Sequence, residues 1–281
     1  MRSASDSLPE TLRLSAALRD ASFEYIPHVK LSESSPKAVR LAVNVLVLQA
    51  DDGLVLFDPG PGDPSCWIDG LDSETRRMNF TMYGGLQRYL SGKGGAESVS
   101  RILLTHCHPD HIIALFTSEG RRCKAFPNAV VHVADEVRFR RYSREYLGAP
   151  DAYHVLPLPR KRPGFDYQVC NFHARRHTTF KLTCDKGEIV VWGDLLPTAM
   201  HLREKNYSLL MGGDRPSFYD AWLENSCRSD SLNLLFHDPR RALCRIGRKD
   251  SGYFHIEVDG LPDVYEHHSD DGYDDTSRRR P

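Results

Sequence analysis

The sequence of 281 residues predicts an α/β fold in one domain, because two strand-rich halves flank a middle with helices and α/β domains of this length often form one unit. One hairpin is predicted where the apolar run 41–48 is followed by Asp51-Asp52-Gly53 and a second apolar run, 54–57. Another is predicted where the strands 179–183 and 189–192 flank Asp185-Lys186-Gly187. A hydrophobic content of 40% is enough for a substantial core.

The remaining elements follow from shorter patterns. Helical spacing occurs near 83–90, over 135–142 and over 219–229, and the acidic pair Asp135-Glu136 suits the positive end of the second helix. Strands are predicted at 102–104, 129–133, 232–236, 242–246 and 253–258, whereas the Pro-rich, basic stretch 148–166 reads as a loop.

The two ends of the chain contribute little to this prediction. Residues 1–20 mix charges with scattered Leu and Ala and lack the apolar stretch of about 7–15 residues that a signal peptide needs. Residues 259–281 are dominated by Asp, His, Ser and Arg, a composition that cannot bury enough apolar surface to fold. The predicted folded domain is therefore 1–258, and 259–281 is predicted to be a disordered tail in which His267 and His268 are solvated.

Charge and cysteine usage exclude several classes of protein. Lys and Arg number 37 against 38 Asp and Glu, so the net charge of −1 does not attract nucleic acid or an anionic membrane. The seven cysteines include no Cys-x-x-Cys pair, which argues against a disulfide framework and a zinc ribbon. No eighteen apolar residues run together. We expect a cytoplasmic protein with a small-molecule substrate and neither nucleic acid nor membrane as a partner.

The run His106-Cys107-His108-Pro109-Asp110-His111, directly after the strand 102–104, is the strongest functional signal. In an extended stretch alternate side chains share a face, so His106 and His108 can reach one ion while Cys107 points away. Pro109 then bends the chain and lets Asp110 and His111 reach a second ion. Imidazole and carboxylate are ligands that zinc, manganese and iron accept. A polar surface loop is the alternative interpretation of this run, although so dense a cluster is improbable by chance.

From Thr105 to His111 the sequence Thr-His-x-His-x-Asp-His resembles the metal motif of the metallo-β-lactamase superfamily. Further parts of that pattern occur in order: Asp58-Pro59-Gly60 after an early strand, Gly193-Asp194, and His237 after a late strand. The resemblance covers roughly residues 40–246, which is most of the chain. It implies a four-layer αββα sandwich, with two mixed sheets face to face, helices outside, and metals at the edge where strand-end loops converge.

The resemblance also implies a ligand set for two divalent ions, zinc in the first place and manganese or iron as alternatives. His106, His108 and His173 would hold one ion, Asp110, His111 and His237 the other, and Asp194 would bridge them. His173 and His177 compete for the third position, and the family's spacing of about 21 residues before the Gly-Asp aspartate favours His173, since 194 − 173 = 21.

Three other residues are assigned places around the ions by the same resemblance. Asp58 is expected to be structural, at the base of the site, and not a ligand. His177 is expected behind the ligands, where it supports them. His201 is a candidate for contact with substrate or for a supporting place, and a plain loop histidine is the other interpretation.

The function implied is that of a metal-dependent hydrolase, in which a metal-bound hydroxide attacks a small ester, thioester or lactone and Asp110 takes part in proton transfer. This chain departs from the family in having Ile112-Ile113-Ala114 in place of a Gly-Gly turn and Arg175-Arg176 in place of a Pro-Gly. Homoserine-lactone lactonases often carry a tyrosine behind the bridging aspartate, where this chain has Leu195-Leu196-Pro197, and this departure argues against a lactone as the substrate.

Three alternatives remain open from the sequence. A nuclease or phosphodiesterase of the same fold would use basic residues, of which Arg138, Arg140, Arg141 and Arg160-Lys161-Arg162 are the candidates. An iron-dependent oxidoreductase would use the same ligands. A metal-stabilised binding protein without enzymatic activity would need the ligands but no open position for substrate.

Overall fold

The computed structural model of this chain describes residues 8–25, 39–71, 80–203, 216–249, 252–256 and 263–264. The strands in these residues are, in chain order, β1 Arg13–Tyr25, β2 Val39–Ala50, β3 Gly53–Phe57, β4 Thr81–Met82, β5 Val99–Leu103, β6 Thr117–Ser118, β7 Arg121–Arg122, β8 Val130–His132, β9 His154–Leu156, β10 Phe165–Cys170, β11 His177–Cys184, β12 Gly187–Val191, β13 Leu232–Leu234, β14 Leu243–Lys249, β15 Gly252–Ile256 and β16 Asp263–Val264. The α-helices are α1 Gly85–Ser91, α2 Pro109–Ile112, α3 Glu136–Leu147, α4 Met200–Arg203 and α5 Tyr219–Arg228.

These strands form two large mixed sheets. The first has the order β16-β1-β2-β3-β5-β8-β9, with β4 beside β1, and its neighbours from β3 to β9 are parallel. The second has the order β10-β11-β12-β13-β14-β15, in which β12 and β13 are parallel and the other pairs antiparallel. The short strands β6 and β7 pair only with each other.

The two sheets pack face to face with helices on their outer faces. Leu46 and Phe57 of the first sheet share a buried core with Phe180, Val191 and Leu234 of the second. Alternate residues of the same strands point the other way.

The outer faces of the two sheets bury the helices. Val47 and Leu56 pack with Phe139 of α3 and Leu86 of α1 on the outside of the first sheet. On the outside of the second sheet, Leu223 of α5 packs with Trp192. The predicted four-layer αββα architecture is confirmed.

Both predicted hairpins are present, because β2 and β3 meet at Ala50 and Gly53, and β11 and β12 meet at Cys184 and Gly187. The 13-residue strand β1 was not predicted from the sequence. Two register shifts, between Leu14 and Ala16 and between Arg19 and Ala21, interrupt its alternation. A pattern of period two was therefore not visible in the sequence.

The stretch 148–166 was predicted to be a loop, and this was wrong in part. His154–Leu156 forms the edge strand β9, parallel to β8, and Phe165 begins β10. A three-residue strand with an exposed first residue is too short to show a period in the sequence.

In the predicted tail, 259–281, the structure describes Asp263 and Val264, which form β16 and pair in parallel with Ala17 and Leu18 of β1. His267 and His268 lie outside the described residues, so the character of the tail stays a prediction. None of the helices in the described part of the chain has both the length and the apolar character needed to cross a bilayer.

Asn44, in the middle of β2, joins the first sheet to the loop that follows β13 of the second. Its fully buried side chain donates hydrogen bonds to the carbonyl oxygens of Leu235 and Asp238, both at 3.0 Å. Its backbone N–H donates to the carbonyl of Phe236 at 2.9 Å. These bonds flank His237 on both sides and hold its loop against β2.

We expect Asn44→Ala to lower the free energy of unfolding by about 2–4 kcal/mol, because two buried carbonyl groups lose their donor. Denaturant unfolding would measure the loss. Asn128→Ala is the matched control, since that exposed side chain donates one hydrogen bond, to the carbonyl of Glu97 at 2.9 Å, and its removal should cost about 0.5 kcal/mol or less. Equal losses in the two variants would show that the Asn44 bonds do not hold the sheets together.

Candidate metal centre

The predicted ligands lie in segments that follow strands of both sheets, at one edge of the sandwich. His106 follows β5, Asp194 follows β12 and His237 follows β13, while His173 lies on the loop between β10 and β11. Backbone hydrogen bonds join the segments after neighbouring strands, as when the N–H of Gly60 donates to the carbonyl of His111 at 3.2 Å. The fold thus brings together residues that are far apart in sequence.

One group of ligand atoms is formed by His106, His108, His173 and Asp194, whose donor atoms all lie within 4.8 Å of one another. Nε2 of His173 is 2.9 Å from Nδ1 of His108 and 3.1 Å from Oδ2 of Asp194. His106 is almost completely buried, with 1% of its surface exposed. Three imidazole nitrogens and a carboxylate oxygen around one point are a typical metal-binding set.

A second group lies next to it and consists of Asp110, His111 and His237, again within 4.8 Å of one another. Nε2 of His237 is 3.4 Å from Oδ2 of Asp110. Oδ1 of Asp194 is 3.2 Å from Nε2 of both His111 and His237. Asp194 therefore turns one carboxylate oxygen towards each group.

Several of these atoms are buried without hydrogen-bond partners in the described part of the chain. They include Nε2 of His106, Nε2 of His111 and Oδ1 of Asp194, the last two being close but not aligned for a hydrogen bond. Leaving such an atom unpaired costs about 1–3 kcal/mol. These lone pairs converge and have no hydrogen-bond donor, and two cations would satisfy them. The residues present therefore fit a two-metal centre.

Asp58 holds the loop that carries the motif. Its fully buried carboxylate accepts hydrogen bonds from the backbone N–H of Thr105 at 2.8 Å and from the Thr105 hydroxyl at 2.6 Å. It also lies 3.1 Å from Nδ1 of His111, which donates to it in the tautomer that leaves Nε2 free. His237 is fixed similarly, with Nδ1 donating to the carbonyl of Ala42 at 2.7 Å. Such partners set which nitrogen faces the metal.

His177 lies behind the ligands. It is fully buried, and its Nε2 accepts a hydrogen bond from the backbone N–H of Asp194 at 3.1 Å, so it positions that aspartate. Burial lowers the pKa of His177 to about 3, and the ring is neutral. Gly193 has φ +55° and faces His177 and Thr105, where a Cβ would approach both at 2.8 Å. Glycine is thus required before Asp194.

The electrostatics of the two groups differ. Burial, followed by the neighbouring His111 and His108, lowers the pKa of His106 well below its usual value. Burial also opposes the charged form of His111, but the carboxylates of Asp110 and Asp194 outweigh it and raise the pKa of this histidine well above its usual value. His106 is therefore a neutral imidazole that can donate a lone pair, whereas His111 lies beside the carboxylates of Asp110 and Asp194.

Other predicted residues lie at the margin. His201 is buried, with Nδ1 at 2.8 Å from Oγ1 of Thr198. Arg175 is exposed, and its Nε lies 4.0 Å from Oδ2 of Asp135.

Two residues that support the site, Phe236 and Asn44, were not predicted from the sequence. The ring of Phe236 stacks on that of His111, with 3.9 Å between the ring centroids. A lone asparagine within the apolar run 41–48 was a signal that could have been followed.

Several solved structures are similar to this chain over most of its length. The dizinc quorum-quenching lactonase AidC, in complex with the product N-hexanoyl-L-homoserine, has a TM-score of 0.63 and 16% identity, covering 90% of this chain and 96% of its own. A probable metal-dependent hydrolase from Staphylococcus aureus has a TM-score of 0.62 and 14% identity, covering 89% and 99%. The hydrolase AbOPH of the β-lactamase superfamily has a TM-score of 0.61 and 18% identity, covering 89% and 96%.

At these identities the likeness shows the fold. The chain has the metallo-β-lactamase fold, as the sequence motif predicted. No protein-family model matches the sequence, and no curated protein matches it.

We expect His173→Ala to reduce bound zinc from about two ions per chain to about one, because it removes a nitrogen ligand of the first group. His177→Ala should keep about two ions with an affinity about 10–100-fold weaker, since it removes only support for Asp194. Metal analysis after equilibration with a fixed free zinc concentration would measure both. The exposed His154, changed to Ala, is the matched control and should bind zinc as the unchanged protein does. Greater zinc loss in His177→Ala would reverse the assignment.

Proposed function

We propose that this chain is a hydrolase that uses two divalent metal ions, zinc in the first place, to cleave a small carboxylic ester, thioester or lactone. The proposal rests on the position of the Asp194 carboxylate. Its Oδ2 faces His173, and its Oδ1 faces His111 and His237. One aspartate shared by two ligand groups is the arrangement that suits a pair of ions acting on one substrate.

In this proposal His106, His108 and His173 hold one ion, Asp110, His111 and His237 hold the other, and Asp194 binds both. Zinc bound there would lower the pKa of a bound water from 15.7 to about 7 and would polarise the substrate carbonyl. The ligands are imidazole and carboxylate, which zinc, manganese and iron all accept. Cys107 is no ligand, because its buried Sγ faces the backbone carbonyl of Asp135 at 3.7 Å.

Asp110 is the residue of this centre best placed to move a proton. Its side chain is 13% exposed, so it can meet a bound substrate, and its Oδ2 lies 3.7 Å from Nε2 of His111. In the reaction, a water oxygen bonds to the carbonyl carbon and a water proton passes to the Asp110 carboxylate. When the bond to the leaving oxygen or sulfur breaks, Asp110 returns the proton to that atom. Charge and atoms balance without a further reactant.

The structural neighbours support this proposal, since one is a dizinc lactonase in complex with a product and another is described as a probable metal-dependent hydrolase. The nuclease alternative loses support because several of its basic residues are engaged within the protein. Arg140 pairs with Glu136 and Asp151, Lys161 pairs with Asp166 at 2.8 Å, and Arg162 donates to the carbonyl of Pro9 at 2.6 Å.

The proposal is tested with purified protein loaded with zinc and assayed on 4-nitrophenyl acetate, a phenyl thioester, N-hexanoyl-L-homoserine lactone and bis(4-nitrophenyl) phosphate. We expect about two zinc ions per chain and hydrolysis of at least one of the first three, lost with a chelator and restored by zinc. Cleavage of the phosphodiester alone would favour the phosphodiesterase alternative. Stable binding of iron with no hydrolysis would favour the oxidoreductase.

For the carboxylic substrate so identified, we expect Asp110→Asn to lower kcat by about 10²–10⁴-fold, because the amide cannot accept the proton. KM should change much less. Asparagine is also a weaker ligand, so zinc content must be measured on the same sample. Asp151→Asn, which changes an exposed aspartate that pairs with Arg140, is the matched control and should keep full activity. A fully metallated Asp110→Asn protein with unchanged kcat would rule out this role for Asp110.

A further inference from the structure

A cavity of about 740 Å³ lies beside α1, on the outer side of the first sheet. Of the described residues that line it, none is a predicted metal ligand. Much of its wall is apolar and includes Met82, Leu86, Leu90, Ala114 and Phe126. Small-molecule sites in proteins usually occupy about 300–1,000 Å³. The cavity is therefore large enough for a small ligand that stays clear of the metal centre.

One buried carboxylate, that of Asp20 in β1, faces this cavity. Asp20 lines the cavity with 5% of its surface exposed. Its Oδ1 accepts a hydrogen bond from the backbone N–H of Leu86 at 3.1 Å. Its Oδ2 is not sealed from solvent, has no hydrogen-bond partner among the described residues, and lies over Gly60, where a Cβ would be 3.1 Å away. Pro59 and Gly62 of the same loop line the cavity, so Oδ2 is directed into it.

The cap on α1 does not explain why this residue is charged. An asparagine at position 20 would offer the same acceptor to Leu86 without burying a charge. Burial raises the pKa of Asp20 to about 6, and the hydrogen bond from Leu86 and the charge of Arg88 offset this effect only in part. Arg88 itself donates to the carbonyl of Tyr83. Among the described residues, no cation contacts Oδ2 of Asp20.

The chemistry of the cavity selects one class of ligand. A metal ion would need further ligands, and the described residues form such groups only at the centre above. An anion would be repelled by Asp20. At the mouth, exposed Glu119 and Arg121 pair with each other at 3.3 Å, so the entrance carries both signs of charge. An ammonium group could donate a charge-assisted hydrogen bond to Oδ2, and an attached apolar chain could lie on the apolar wall.

We propose that this cavity binds a primary ammonium compound with an apolar body. Its ammonium group donates a hydrogen bond to Oδ2 of Asp20, and its body packs against Met82 and Leu86. Binding gives the carboxylate the cation that the described residues do not supply. The proposal does not rest on the proposed function, since no predicted ligand of the metal centre is among the described residues that line the cavity.

The probe is n-hexylammonium, with 1-hexanol as its neutral counterpart, and calorimetry follows binding to the full chain at about pH 7.5, where Asp20 and the amine are both charged. Asp20→Asn keeps the cap on α1 and removes the charge, whereas Glu119→Gln removes a charge at the mouth. Measurements with and without bound zinc separate this cavity from the metal centre. Labelling of the methionine methyl groups with ¹³C reports the place of binding through the signal of Met82, which Met82→Leu identifies.

We expect n-hexylammonium to bind about 10–100-fold more tightly than 1-hexanol, because its hydrogen bond joins two charged groups. Asp20→Asn should reduce that preference to about 3-fold or less, and Glu119→Gln should keep it. Bound zinc should change the affinity by no more than about 2-fold, because the two sites share no residue. The Met82 methyl signal should shift as n-hexylammonium is added.

No binding of n-hexylammonium, or equal affinities of the two probes for the unchanged protein, would overturn the proposal, and this comparison needs no variant. The same conclusion would follow from an unchanged preference in Asp20→Asn, from an equal loss in Glu119→Gln, or from binding that leaves the Met82 signal in place. Failure of the hydrolase assays would not affect this site, because binding is measured without turnover.

Discussion

The arrangement of this site depends on the buried carboxylate of Asp58. It joins the ends of the adjacent parallel strands β3 and β5 by accepting two hydrogen bonds from Thr105, and it orients His111 through Nδ1. Hydrogen bonds to a charged group contribute about 1.5–3 kcal/mol each, which offsets the cost of burying the carboxylate and of a left-handed backbone at φ +47°. Without it, the loop with four predicted ligands would have no fixed position relative to Asp194 and His237.

The sequence predicted those parts of the molecule that depend on local patterns. The hairpins, the helix α3 and the order of the ligand segments follow from alternation, turn residues and one motif. The strand β1 was missed because its two bulges hide the alternation, and β9 because three residues show no period. The link from Asn44 to the loop of His237 was also missed, since nothing in the run 41–48 shows which distant carbonyls it meets.

The choice between His173 and His177 illustrates the same limit at the site. Spacing alone favoured His173, but the direction of each side chain depends on backbone torsions that the sequence does not show. His173 and Arg176 both adopt positive φ, +63° and +53°, where glycine is the usual residue. This tight turn directs His173 to His108 and leaves His177 to start β11 beneath Asp194. A strain of about 1–2 kcal/mol per residue is retained in the turn that directs His173 to His108 and Asp194.

The bond between Nδ1 of His237 and the carbonyl of Ala42 spans 195 residues of chain. During synthesis the motif from His106 to His111 leaves the ribosome long before His237 does, and the second ligand group cannot close until β13 has paired and its loop has returned to β2. A nascent or truncated chain that ends before this loop could present several histidines to a passing ion, but only loosely. Closure of the second ligand group therefore depends on the docking of both sheets, and tight uptake of an ion there would require it.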